Sequence, residues 1–244
     1  MPLPSDNPDD LLEQLKAVIQ ALMPDNAGAN NTQVDDNTMQ TLASLDQLGE
    51  IITGAGANAN GGNLKPREVT EIGEYGMQAL SNCSQLAGQQ NDTELQQQIG
   101  LLAVGIVLWV ASQGGEITAL EPVVDTLAWL ANNTKEHKAL SQLSDMVGRI
   151  MAACNLDIRS DLENMNPGRP WRVININRGI IATRSQDPEI MDAAFQTLIK
   201  NLPQDAPGFF AEGMSEMERV GYPEHVREVM TRYYEQWNEP HVIH

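Results

Sequence analysis

The segment Gly100–Ala111, GLLAVGIVLWVA, is twelve residues of almost unbroken apolar character. It constrains the fold more than any other stretch. A helix that is apolar on all sides has to be covered on all sides, so the rest of the chain must supply the elements that enclose it. The run falls short of the ~20 residues that cross a bilayer. Gln96, Gln97 and Gln98 precede it, and Gln113, Gly114 and Gly115 follow it. The expectation is a buried helix over about 94–112, at the centre of a soluble core.

The flanking sequence has helical period. Leu11, Leu12, Leu15, Val18, Ile19 and Leu22 make one apolar face from about Pro8 to Met23, with Asp9 and Asp10 in the first turn. That placement suits the positive end of the helix dipole. Residues 24–37 are polar and turn-rich, and Thr53–Asn63 (TGAGANANGGN) reads as a low-complexity linker. Between them Met39, Leu42, Leu45, Leu48 and Ile52 predict a second helix. Beyond Pro66 the spacing of three and four continues almost without interruption. Pro122 fits a first helical turn, and Asp187-Pro188 and Asp205-Ala206-Pro207 read as N-caps followed by Pro. Only Val173-Ile174-Asn175-Ile176 could be a strand, and it runs on into a helical pattern. The fold class is therefore all-α, and the expected division is 1–64, helices with linkers, and 65–244, the main helical domain.

Charge narrows the partners. With 33 Asp and Glu against 15 Lys and Arg, the net charge is −18. That field repels a phosphate backbone and an anionic lipid surface, so neither nucleic acid nor membrane is an expected partner. The N-terminus carries no basic, apolar leader, and two cysteines, Cys83 and Cys154, make no disulfide framework. Both points favour two buried thiols in a reducing, cytoplasmic setting.

A short phrase recurs at Met39–Leu45, Met77–Cys83, Val124–Leu130 and Phe195–Ile199. The segment Asp187–Leu202 (DPEIMDAAFQTLIKNL) resembles an armadillo-type or HEAT-type helix, which opens Asp-Pro, continues Ala-Ala and closes Leu-x-x-Asn-Leu. Ala79–Cys83 is similar to the closing phrase. The resemblance covers about 40 residues in two places. It implies stacked helical hairpins and a role in holding other proteins, with Asn82 and Asn201 matching the asparagine that faces the peptide groove. An irregular helical bundle fits the same pattern of helices.

No catalytic constellation stands out. His137, His225, His241 and His244 have no metal-ligand spacing, and no nucleophile elbow or phosphate loop occurs. Neither catalytic residues, nor a metal, nor a cofactor is expected. One anomaly remains: residues 159–184 hold Arg159, Arg169, Arg172, Arg178 and Arg184, half of the ten arginines, with only Asp161 and Glu163 as acids. Arginine forks match carboxylate and phosphate, so Arg169, Trp171, Arg172, Asn177, Arg178 and Arg184 are candidate binding residues. At about 100° per residue, Arg172, Arg178 and Arg184 point in three directions, while Val173, Ile176 and Ile180 share a face with Asn177 beside it. Interior arginines would need ion pairs or other acceptors on neighbouring helices. Six of the eleven aromatics lie in the last 36 residues, either as core or as an exposed anchor at Tyr234 and Trp237. The expected function is a non-catalytic module that binds another protein or peptide, with residues 1–52 as the seat of any self-association. The alternative is a binder of, or enzyme acting on, a small anionic ligand at the arginine region.

Overall fold

A computed structural model of the chain describes residues 2–23, 36–57, 64–162 and 165–238. The protein is all-α. Its helices are α1 (Pro8–Leu22), α2 (Asp36–Ala57), α3 (Pro66–Gln89), α4 (Thr93–Ser112), α5 (Glu121–Asn133), α6 (His137–Ala153), α7 (Leu156–Arg159), α8 (Pro170–Ser185), α9 (Pro188–Asn201), α10 (Ala206–Val220) and α11 (Glu224–Asn238). Among the described residues the only β-pairing is an isolated parallel bridge between Ile117 and Cys154. Val173–Ile176 lies inside α8.

The helix ends follow local chemistry. Asn7 caps α1 by accepting from the amides of Asp9 (2.8 Å) and Asp10 (3.4 Å). Asp92 caps α4, accepting from Leu95 N–H at 2.9 Å, and Asp187 caps α9. Gly221 ends α10 with φ of 73°, a left-handed conformation that costs glycine nothing. Three boundaries differ from the sequence expectation. The linker over Thr53–Asn63 begins later than expected, because Thr53–Ala57 belong to α2, where the Thr53 hydroxyl donates to Gly49 O at 2.7 Å. The loop expected over 24–37 ends sooner, because Asp36 and Asn37 belong to α2, and its residues 24–35, like the remainder of the linker, lie outside the described residues. Asp205 precedes α10 but makes no side-chain cap, since its carboxylate is engaged by arginines.

The contacts divide the chain into two compact units, residues 2–126 with 152–158, and residues 127–151 with 159 onward. In the N-terminal unit α3 and α4 pack as a hairpin, and α1 lies against α2, α3 and α4. α4 is 20 residues long, and an 18-residue stretch of it has a mean hydropathy of 1.5, enough by length and composition to cross a membrane. Here it is the core. Leu102 to Val110 are all at most 3% exposed apart from Gly105, which is itself buried. The apolar faces of α1 (Leu11, Leu15, Val18, Leu22) and α2 (Leu42, Leu45, Leu48, Ile52) are buried within this unit. Cys83 and Cys154 are free and buried, and desolvation pushes the Cys83 thiol up to about 12.

In the C-terminal unit α8 packs on α9, α10 on α11, and α11 on α9. The C-terminal aromatics are core. Phe195 meets Phe209, Phe210 and Tyr233 edge-on at 5.2–5.6 Å between ring centres. Phe210 stacks on Tyr233 at 5.4 Å. Such pairs add about 0.5–1.5 kcal/mol each beyond area burial. Tyr234 and Trp237 pack partly against the same cluster.

Two glycine substitutions test the helix contacts by urea denaturation. In Gly105→Ala the new methyl would stand 2.7 Å from Leu11 Cδ2 and 2.9 Å from the Ser5 carbonyl oxygen. The backbone cannot yield cheaply, so a loss of about 1–3 kcal/mol is expected. Gly54 has nothing within 4 Å of the added carbon, so Gly54→Ala should stabilise by about 0.5–1 kcal/mol. A destabilised Gly54→Ala would contradict helix at that position.

Candidate functional site

α8 carries four of the five clustered arginines at or near its ends and along its length. Arg169 and Arg172 share Asp205, while Arg178 and Arg184 go to other elements. Arg169, 6% exposed, grips Asp161 with two bonds, Nε to Oδ1 at 2.5 Å and Nη2 to Oδ2 at 2.8 Å. It also donates to Asn166 O at 2.9 Å and lies 3.6 Å from Asp205 Oδ2. The hydrogen bond to Asp161 raises the Arg169 pKa against the opposing effect of burial. Arg172 donates to Asp205 Oδ1 at 2.6 Å and to Pro167 O at 3.1 Å. Together the two arginines fasten the turn at 165–169 and the start of α10 to the N-terminus of α8.

Arg178 points elsewhere. Its Nε donates to Ser144 O on α6 at 3.2 Å and its Nη1 to Thr197 Oγ1 on α9 at 3.0 Å. The guanidinium lies against Gly148, where a Cβ would come within 2.8 Å of Nη2. Burial lowers its pKa, partly offset by Asp145. Arg184 donates to Ala131 O at 2.6 Å and Thr134 O at 3.0 Å, at the C-terminal turn of α5, where a cation satisfies otherwise orphaned carbonyls. His137 Nδ1 lies 3.1 Å from Arg184 O and ties the same corner. Arg159 is exposed.

The polar residues on α8 differ from expectation. The interior asparagine is Asn175, 1% exposed, rather than Asn177, which is half-buried. Asn175 donates to Trp171 O at 2.8 Å and accepts from Asn201 Nδ2 at 2.9 Å. The buried residues of α8 are Trp171, Ile174, Asn175, Gly179, Ile181, Ala182, Thr183 and Ser185, whereas Ile180 is 44% exposed. Apolar residues occur nearly all round α8, so its neighbours, not its own period, choose the covered side. Trp171 is 5% exposed, which makes it core rather than a surface contact, and its Nε1 has no hydrogen-bond partner.

Asn201 is the last residue of α9 and, with Arg169, Asp161 and Asp205, lines a polar cleft of about 200 Å³. Asn82 sits in the middle of α3, in the other unit, accepting from Gln78 Nε2 at 3.2 Å. Only one of the two asparagines therefore closes a helix. The arginine charge in the polar cleft is already matched by two aspartates.

Sequence reasoning missed two apolar clefts of about 280 Å³ each. In the C-terminal unit, Ile176 and Ile180 of α8 face Phe209 and Met217 of α10 across one cleft, with Met230 and Tyr222 also lining it. Glu212 and Glu216 of α10 line the same opening, and Arg184 borders it with its guanidinium committed to carbonyls. Glu216 is held by Arg219 at 2.5 Å in an exposed pair. In the N-terminal unit a cleft lies between α3, α4 and residues 116–119. The partial exposure of Ile180 against its apolar neighbours is visible only once α8 and α10 are placed. No group of three or more metal-ligating side chains converges among the described residues. Comparison of the chain with family models, with curated proteins and with solved structures found no match. Fold and site together define an all-α protein in which Arg169, Arg172, Arg178 and Arg184 bind acceptors of their own unit, and in which each unit has an apolar, acid-rimmed cleft.

The arginine cluster is expected to act on stability. Arg169→Ala leaves the Asp161 carboxylate without its partner and should cost about 3–5 kcal/mol, read by chemical denaturation. Arg67→Ala removes an i,i+4 pair whose arginine side chain is 89% exposed and should cost less than about 0.5 kcal/mol. Equal effects would mean that Arg169 is not held as described.

Proposed function

We propose that the chain is a non-catalytic interaction module that holds a segment of another protein through its helical hairpins. The cleft between α8 and α10 carries the proposal. Ile176, Ile180, Phe209 and Met217 offer an apolar wall, and Glu212 and Glu216 border it. A cleft of that character takes an apolar side chain from a partner and desolvates it. The helices α8 to α11 pair as hairpins, which is compatible with the resemblance to armadillo or HEAT repeats and with the role that resemblance implies. The anionic-ligand alternative has less support, because Arg169, Arg172, Arg178 and Arg184 spend their guanidinium groups on acceptors within the unit.

The test is capture from an extract of the source cells with the purified chain, compared with Ile180→Asp and with Arg67→Ala as a surface control. Partners should bind the natural chain and the control and be lost, by ten-fold or more, with Ile180→Asp, while the helical circular dichroism stays unchanged. Capture that ignores Ile180→Asp would move the interface away from this cleft. No capture at low salt would remove the proposal.

A further inference from the structure

The cleft of the N-terminal unit has a wall that the other cleft lacks, the backbone around the isolated β-bridge at Ile117. Ile117 N–H donates to Ala153 O at 2.8 Å, and Ile117 O accepts from Asn155 N–H at 3.0 Å, so both main-chain groups of Ile117 face one edge. In an extended chain the adjacent residues present theirs to the opposite edge. On that edge Glu116 N–H is taken by Thr70 Oγ1 of α3 at 2.9 Å. The N–H and C=O of Thr118 and the C=O of Glu116 have no hydrogen-bond partner among the described residues. Glu116 and Thr118 both line the cleft, and Thr118 is exposed.

The remaining walls suit a side chain. Met77 of α3 and Val107 and Val110 of α4 provide the apolar surface, while Gln78 and Ser81 are polar. The charged residues of the lining are Glu74 and Glu116, both exposed, and no cation pairs with either among the described residues. An unpaired backbone edge beside an apolar cleft is the geometry of strand addition, in which main-chain bonds give affinity and the cleft gives side-chain preference.

We propose that this cleft is a second docking site, in which an extended peptide segment of a partner pairs with Glu116 and Thr118. One apolar side chain of the segment enters between Met77 and Val110, and a Lys or Arg beside it meets Glu74 and Glu116. The site is independent of the α8–α10 cleft and extends the function proposed above to a different unit.

The experiment uses the full chain and a synthetic library of nonapeptides with a central Leu, Met, Val or Phe, flanked by Lys and Arg, by Ser and Gln, or by Asp and Glu. Binding is read by fluorescence polarisation and by hydrogen exchange over residues 115–120. The basic peptides should bind at least ten-fold more tightly than the acidic ones, weaken with salt, and protect 115–120 from exchange. Thr118→Pro removes one N–H and should weaken binding ten-fold or more, as should N-methylation of the peptide at alternate residues in one register only. Glu74→Gln with Glu116→Gln should remove most of the preference for basic flanks. Ile180→Asp should change nothing here, so a failure at this site is separable from a failure at the other cleft. Equal binding of acidic and basic peptides, indifference to Thr118→Pro, equal protection by spermidine alone, or no binding by any member of the library would each overturn the proposal.

Discussion

A guanidinium withdrawn from water must find acceptors for its N–H groups, or the fold pays several kcal/mol for an unmatched charge. In the C-terminal unit that requirement organises everything around α8. Arg169 and Arg172 draw Asp161 and Asp205 to its N-terminus, Arg178 reaches α6 and α9, and Arg184 closes the end of α5. The helix is thus pinned at three levels along its axis by bonds that a purely apolar helix could not make. Hydrogen bonds have direction where apolar contact has none, so these ties specify the rotation of α8 as well as its position.

That rotation has a consequence for the surface. With Ile174, Ile181 and Ala182 turned inward, Ile180 is left 44% exposed and Ile176 half-buried. Phe209 and Met217 of α10 stand opposite, and the space between is the cleft. Asp205, which an N-cap role would have committed to the amides of α10, instead bonds Arg172. Its carboxylate turns to the two cationic donors beside it, which make stronger hydrogen bonds than neutral amides. In the N-terminal unit the organising constraint is different. α4 is apolar enough to need cover on most sides, and α1 and α3 supply it, Gly105 allowing α1 to approach closely.

The fold class was legible because it rests on local signals. Asn7, Asp92 and Asp187 cap helices, and Pro8, Pro66 and Pro188 open them, all from chemistry within four residues of the boundary. The burial of 102–110 was also legible, since a stretch with no polar side can only be inside. The site was legible in part. Helical arithmetic placed Arg172, Arg178 and Arg184 in three directions, and each does meet a separate neighbour. It did not distinguish Asn175 from Asn177, two residues apart on a helix whose apolar positions encircle it. Nor could it reveal either cleft, because a cleft is a gap between elements and leaves no mark on the sequence of any one of them.

By itself, then, the sequence determined the helices, their punctuation, the acid excess and the interior place of α4, because each depends on near neighbours in the chain or on solvation of a single segment. Only the tertiary structure decided which face of α8 is covered, which acceptors take each arginine, and where Thr118 and Ile180 are left exposed. These depend on groups that meet from distant parts of the chain, such as Arg184 with Ala131 and Arg172 with Asp205. Such meetings are set by packing, in which many helix rotations bury similar apolar area and a few directional bonds select among them.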